Sequence, residues 1–428
     1  MDSLAARDNL ICVTPLLTRH QADQDFMAQN PVSSLLSGMR VLELGHFVAA
    51  PFATRLLADL GADVIKIEPP GGDPVREWGE QIHGHSLWWS MHGRNKRSVV
   101  VDLKTPTGRQ AVLSIAKQCD AVVENYRPGG LAKLGLSDET LRSENPGLVI
   151  AHVSGYGQDG PYRDRAAFGV IGEAVGGLRY LTDRAEPDGS PPVRVGISIG
   201  DSIAGIYAAF GVVAALWSRD RGDGPGRTVD VALTESILSL MEGMLPEYGR
   251  LRKIKRPTGS AIATAAPSNA YPSSDGEWVL IAANSEPLFA KLSQVVGHPE
   301  WIEDPRFSGN QGRVLNAQEL DAGIQAWTLQ YKTDEIVRIL GEWDIPHSKV
   351  FTAEDCATDP QYRQRGAVRE VEDDRLGAVL HAGVFPHIPE CPGEIRWCGP
   401  AVGQHTEQVL REFGISRRDL ETETATDA

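Results

Sequence analysis

The chain is short of basic residues: 42 Lys and Arg face 57 Asp and Glu among 428 residues, for a net charge of −15. That balance argues against a general nucleic-acid surface, and no Lys/Arg run interleaved with aromatics offers a local exception. Cysteine is scarce too. Cys12, Cys119, Cys356, Cys391 and Cys398 are scattered, and even the closest pair is spaced wider than zinc ligands or a redox motif, so reduced thiols in a cytoplasmic protein are expected. No stretch approaches 18 apolar residues without a charge, and the first 37 residues lack a basic n-region followed by an apolar h-region. Neither a membrane partner nor a secretory signal is therefore expected. Residues 1–37, which carry Asp2, Asp8, Asp23 and Asp25, read as a poorly ordered extension. A Walker-type lysine, H-E-x-x-H, G-x-S-x-G and clustered metal ligands are also missing, so no metal site is expected.

What is present starts at residue 38. A strand at 38–45, a helix at 51–60 and a strand at 61–68 form a βαβ unit, which opens a parallel sheet. Strands at 98–103, 121–124 and 148–153 alternate with helices near 107–118 and 137–143, giving an α/β, doubly wound layer structure. A long apolar helix at 203–217 leads through a turn cluster at 219–226 to a strand at 227–233. Residues 250–272 are polar and punctuated by Gly and Pro, and read as a linker and active-site loop. A strand at 278–283 and amphipathic helices near 286–296, 317–330 and 333–343 then suggest a smaller α+β domain. After 353 come one more helix, a β-like run at 377–385 and a helix at 404–413. The length suffices for two cores. The expected division is 1–37 extension, 38–235 first part of a large domain, 236–272 linker and active-site loop, 273–350 small domain, and 351–428 linker and return to the large domain.

The most informative local pattern is GISIGDS at 196–202, which sets Asp201 between a short apolar segment and the long helix. Free backbone N–H groups and the helix dipole would keep a carboxylate anionic there, which makes Asp201 the candidate nucleophile. The plainer alternative is a helix cap, a position that Asp favours. Between 91 and 133, Arg94, Lys96, Arg97, Lys104, Arg109, Lys117, Arg127 and Lys133 oppose only Asp102, Asp120 and Glu124. The cluster reads as a phosphate site or as the solvated surface of two helices. GYGQDG at 155–160 matches G-x-G-x-x-G after a strand, but the polar PYRDR follows where the fingerprint needs a packed helix, so no nicotinamide or flavin site is expected.

Seven tracts in order carry a family resemblance: LSGMRVLEL at 36–44, LGADVIKIE at 60–68, NKRS at 95–98 with DLKTP at 102–106, VENYRPG at 123–129, SGYG at 154–157, GDS at 200–202 and GQHTEQVL at 403–410. Together they resemble the class III CoA-transferase family, which includes formyl-CoA transferase and the carnitine CoA-transferases. The resemblance implies a Rossmann-like large domain built from both chain ends, an inserted small domain, and an interlocked homodimer. It implies CoA as substrate with no tightly bound cofactor, and partners that are acyl-CoA and small carboxylic acids. It also implies transfer through an aspartyl mixed anhydride and an aspartyl-CoA thioester at Asp201.

CoA contacts would fall on Val48, Ala49, Val101, Asp102, Leu103, Lys104, Asn125, Tyr126, Arg127 and Lys133. Val48 stands where formyl-CoA transferase has Gln, Pro69 replaces a basic residue, and Lys133 replaces an Arg. The glycine-rich lid loop has its nearest counterpart at Thr258, Gly259 and Ser260. These departures point away from formate and oxalate; overall similarity points instead to succinyl-CoA and a dicarboxylate, with Arg179, Arg194, Arg252 and Arg256 as candidate clamps. The α-methylacyl-CoA racemases share the scaffold but use a His-Asp pair, and at that place this chain reads Phe168 and Gly169. Glu173, one turn further, could reach a substrate or be structural. A non-catalytic CoA-binding protein is the remaining alternative.

Overall fold

A computed structural model describes residues 34–186, 188–222 and 224–416. Most of the expected N-terminal extension, and Cys12 within it, lie outside the described residues.

The chain opens with β1 (Arg40–Glu43), α1 (Ala49–Asp59) and β2 (Asp63–Glu68), continues through β3 (Lys96–Val100), α2 (Pro106–Ala116), β4 (Ala121–Glu124) and β5 (Val149–Ser154), and reaches β6 (Thr228–Ala232) after α3 (Gly169–Val175) and α4 (Ile199–Arg221). The six strands form one parallel sheet in the order β3-β2-β1-β4-β5-β6. Strand order therefore reverses between β1 and β4. In such sheets the loops leaving the carboxyl ends of those two strands diverge and leave a crevice for a ligand.

The strands read as unbroken apolar runs because both faces are covered. Val41, Val64, Val123 and Ala151 face α1 and α4, whereas Leu42, Ile65, Val122 and Ile150 face the opposite layer. α1 and α4 approach closely because Gly205 has no side chain: a Cβ there would stand 2.8 Å from the Ala49 carbonyl oxygen. α4 starts one turn before its apolar periodicity, because its first turn is small and polar. By length and composition it could cross a membrane, although charge-free apolar runs looked too short for this in the sequence. Ala204, Ala208, Val212 and Ala215 on one side pack into the core, while Phe210 and Trp217 on the other are 70% and 61% exposed.

After β6, α5 (Leu233–Leu238) and α6 (Met244–Leu251) lead to a second, antiparallel sheet of β7 (Ser268–Pro272), β8 (Trp278–Ala282) and β9 (His347–Lys349), in the order β9-β8-β7. The end of the 250–272 stretch, read as loop, is thus strand: two prolines and polar residues hid its register. α7 (Glu286–Val295), α8 (Ala317–Thr328) and α9 (Thr333–Glu342) surround a separate core that includes Tyr271, Phe289, Leu320, Ile324 and Ile336. A hairpin of β10 (Val368–Asp373) and β11 (Gly377–Ala382) follows. The chain then returns to the first sheet. His405 Nδ1 accepts from Ser98 N at 3.1 Å, Thr406 Oγ1 accepts from Val100 N at 3.0 Å, and α10 (Thr406–Glu412) buries Val409 beside β3.

Candidate active site

The loop leaving β1 is tied to the end of β4 by one side chain. Asn125 Oδ1 accepts from His46 N, and Asn125 Nδ2 donates to His46 O, both at 2.8 Å. His46 Nε2 lies 3.0 Å from the Tyr126 hydroxyl. Beneath this loop is a buried polar network. Lys66 Nζ contacts Glu43 at 2.6 Å, Asp73 at 2.7 Å and the Gly45 carbonyl at 2.8 Å. Lys96 Nζ contacts Glu43 at 2.8 Å and the Pro51 carbonyl at 2.7 Å. Burial opposes charge on Lys66, but Asp73 and Glu43 outweigh it and raise its pKa; Lys96, where burial prevails, is lowered to about 8. Asp73 Oδ1 also accepts from Phe47 N at 3.1 Å, holding Phe47 at φ 61, a backbone conformation that an aromatic residue adopts only when fixed from outside.

The expected CoA residues fall on the loops at the carboxyl ends of β1, β3 and β4. Val48 and Ala49 are buried at the start of α1. Val101 is buried with its N–H on the Glu68 carbonyl at 3.0 Å, and Asp102 turns the chain by accepting from Lys104 N at 2.9 Å. Leu103 is half-buried, and Tyr126 follows Asn125 at the end of β4. The basic cluster divides. Arg94 pairs with Asp59, Lys96 with Glu43, Arg97 with Asp63 and Glu412, and Lys117 with Glu144. By contrast Lys104, Arg127 and Lys133 are exposed and, among the described residues, make no ion pair. Arg109 turns toward the Lys104 carbonyl at 2.7 Å.

Asp201 is the third residue of α4, not its cap: Ser198 holds that position, and its side chain makes no capping bond. The carboxylate lies over Gly169, where a Cβ would stand 2.7 Å from Asp201 Cγ and nearer still to Oδ2. Gly200 answers from the other side, a Cβ there falling 2.7 Å from the Gly169 carbonyl oxygen. Two bare Cα atoms thus let the starts of α3 and α4 meet. Gly169 also leaves no side chain to act as a racemase base. Phe168, 70% exposed, packs edge-on to Phe47 with ring centroids 6.4 Å apart, which joins this corner to the β1 loop.

Burial, and then the Glu173 carboxylate, push the Asp201 pKa up to about 6 against the pull of Arg194. Arg194 and the residue's own backbone N–H favour the anion, but less than burial and Glu173 oppose it. Glu173 is 1% exposed; its Oε2 accepts from Arg179 Nη2 at 3.2 Å and its Oε1 is buried without a partner. Gly259, at φ 62, lies beside Ala185, and neighbouring Ser260 donates to Asn269 Oδ1 at 2.5 Å. Sequence reasoning missed the Asn125 clamp, the Lys66 network and the role of Gly169. Each depends on residues far apart in the chain, and no local pattern signals it.

The sequence profile of CoA-transferase family III matches residues 36–406. The chain belongs to that family. It is 46% identical to succinyl-CoA–D-citramalate CoA-transferase of Chloroflexus aurantiacus over 90% of this chain and 96% of that protein. It is 33% identical to succinate–glutarate CoA-transferase of Agrobacterium fabrum, covering 90% of this chain and 96% of the relative. Among solved structures, a CaiB/BaiF family protein from Brucella suis superposes with a TM-score of 0.79 at 31% identity, over 89% of this chain and 99% of that one. The protein is thus a CoA-transferase of family III, with CoA thioesters as its substrates.

Proposed function

We propose that this CoA-transferase moves CoA from succinyl-CoA to a free dicarboxylic acid through Asp201. An Asp201 oxygen attacks the thioester carbonyl, the C–S bond breaks, and CoA thiolate leaves behind a mixed anhydride. The thiolate then attacks the aspartyl carbonyl, releasing the donor acid and forming an aspartyl-CoA thioester. The acceptor carboxylate attacks that thioester, and the returning thiolate takes the acceptor acyl group and frees Asp201. Each step exchanges one acyl bond for another, so the thioester's transfer potential is kept without ATP. The observation that carries this reading is the Asp201 carboxylate held over a residue with no side chain, at a helix start beside the switch-point loops.

CoA would lie across Val48, Ala49, 101–104 and 125–127, with the exposed Lys104, Arg127 and Lys133 facing its phosphates. Gly259 would belong to a loop bordering the acyl end. A large domain from both chain ends, a small inserted domain, a homodimer and a cytoplasmic location complete the proposal; the exposed apolar side of α4 supports the dimer.

The test is chemical. Hydroxylamine added during turnover with succinyl-CoA should convert Asp201 to a hydroxamate that peptide mass spectrometry detects. Asp201→Ala should lower kcat by at least about 10³ while folding normally, since a covalent catalyst rather than packing is lost. Rapid wild-type turnover with no label at Asp201 and an undiminished Ala variant would refute the mechanism.

A further inference from the structure

The loop leaving β1 is gripped by side chains from both neighbouring strands. From β4, Asn125 spends both ends of its amide on the His46 backbone, each at 2.8 Å. From the loop after β2, Asp73 Oδ1 accepts from Phe47 N at 3.1 Å and from Val75 N at 2.9 Å, while Lys66 Nζ holds Oδ2 at 2.7 Å. The grip is itself anchored, because Asp73 N donates to Glu68 Oε2 at 2.8 Å. Burial opposes the Asp73 charge, but Lys66 and the two backbone N–H groups outweigh it and hold its pKa low. At 1% exposure this carboxylate cannot swing out into water. The residue it grips is the strained one. Phe47 stands at φ 61, where a residue with a bulky side chain stays only if its surroundings impose it; a released chain relaxes to negative φ. Such a reversal would redirect the chain at once, and Val48 and Ala49, which open α1, come next.

We propose that Asp73 is a positioning residue for CoA transfer: acting through the Phe47 backbone, it holds the β1 loop in the left-handed turn that presents Val48 and Ala49 to the CoA substrate. This rests on the reading that CoA lies across Val48 and Ala49, and it names what sets them in place. The competing role for Asp73 is that of a countercharge for Lys66, which would stabilise the fold without regard to the residue at 47. The two roles separate at that position. Glycine reaches positive φ without steric cost, so a chain with glycine there has no need of the grip, whereas Lys66 needs its countercharge in either case.

The experiment is a double-mutant cycle on the full-length enzyme, following exchange of isotopically labelled succinate into succinyl-CoA by mass spectrometry. The readout is kcat/KM for succinyl-CoA per folded enzyme, with folding checked by circular dichroism. Asp73→Ala alone should lower kcat/KM at least about tenfold, the scale of a misplaced binding element. Phe47→Gly alone should retain exchange. In the Phe47→Gly background, Asp73→Ala should cost no more than about twofold, because the backbone it acts on no longer needs holding. If Asp73→Ala fails to fold with Lys66 in excess, Asp73→Ala combined with Lys66→Met replaces it throughout the cycle; that change removes the pair as a unit and leaves Glu43 with Lys96. An undiminished Asp73→Ala enzyme, equal losses in the two backgrounds, or abolition of exchange by Phe47→Gly overturns the positioning role while leaving the wild-type exchange and its Asp201 label in place. A wild-type enzyme that shows neither exchange nor label overturns the underlying reading, and this assignment with it.

Discussion

At the residue scale, Asp201, the proposed nucleophile, is a carboxyl whose ionisation opposes the stability of its own fold. Its carboxyl is held at about 6 instead of 3.8, with burial as the larger cause and Glu173 as the second. Between those values the folded chain binds more protons than the unfolded one, so stability falls as pH rises from about 4 to 6 and is level above. The ionised form, which the proposed mechanism needs for attack on the thioester, is thus the form the fold disfavours. Two outcomes are expected. The kcat/KM for succinyl-CoA should drop on the acid side with an apparent pKa near 6, set by this carboxyl. Asp201→Asn should be inactive yet more stable than wild type at pH 7.5, on the order of 1–2 kcal/mol, with the difference shrinking at pH 4. Thermal melts of both proteins at equal concentration and at both pH values decide this; a pH-independent difference would show that the carboxyl is not strained by its site.

At the element scale, the end of β4 is positioned by a charged clamp. His152 on β5 bonds Glu124 at the end of β4 through a very short contact, and its other ring nitrogen meets Asp138 at 3.1 Å, at the start of the short helix Asp138–Glu144. Glu124 Oε2 then accepts from Tyr126 N at 2.5 Å, which fixes the turn carrying Asn125 and Arg127. Burial disfavours the imidazolium, but hydrogen bonds to Asp138 and Glu124 prevail and raise its pKa to about 10. Its contribution is complete below the unfolded value of about 6.5 and is lost as pH rises toward 10. His152→Leu would leave Glu124 buried and unpaired, and should cost about 3–5 kcal/mol by urea unfolding at pH 7, together with a raised KM for the CoA substrate. A loss below about 1 kcal/mol would mean that the clamp is not what holds the turn.

The same scale shows what could be read in advance. β1, β4 and β5 were legible because strands covered on both faces are continuous apolar runs. The first turn of α4 and the strand β7 were not, because small, polar or proline-rich residues carry no periodicity and only tertiary pairing decides their state. Asp201 stood out through its GDS setting. Its crowding by Glu173 did not, because that requires two helix starts to meet over Gly169.

At the scale of the whole molecule, the apolar surface exceeds what one chain buries. Along α4, Ile206, Phe210, Val213 and Trp217 are exposed, and Leu245, Tyr248 and Leu251 on α6 are exposed as well. Monomeric soluble proteins rarely present contiguous apolar patches beyond a few hundred Å². A charge of −15 disfavours an anionic lipid surface as the cover. A second copy of the chain is the cover that family resemblance and surface chemistry both support, and interlocked chains would couple folding to association. The protein should therefore sediment as a dimer of about twice 46.4 kDa and keep that mass on dilution to nanomolar concentration, because threaded chains separate only by unfolding. Phe210→Glu, a charge placed in the middle of that exposed apolar face, should yield unfolded or aggregated protein and not a folded monomer. Analytical ultracentrifugation with circular dichroism separates the cases: a monomer that is folded and active at nanomolar concentration, from either the wild type or this variant, would show that the face is covered reversibly or not at all.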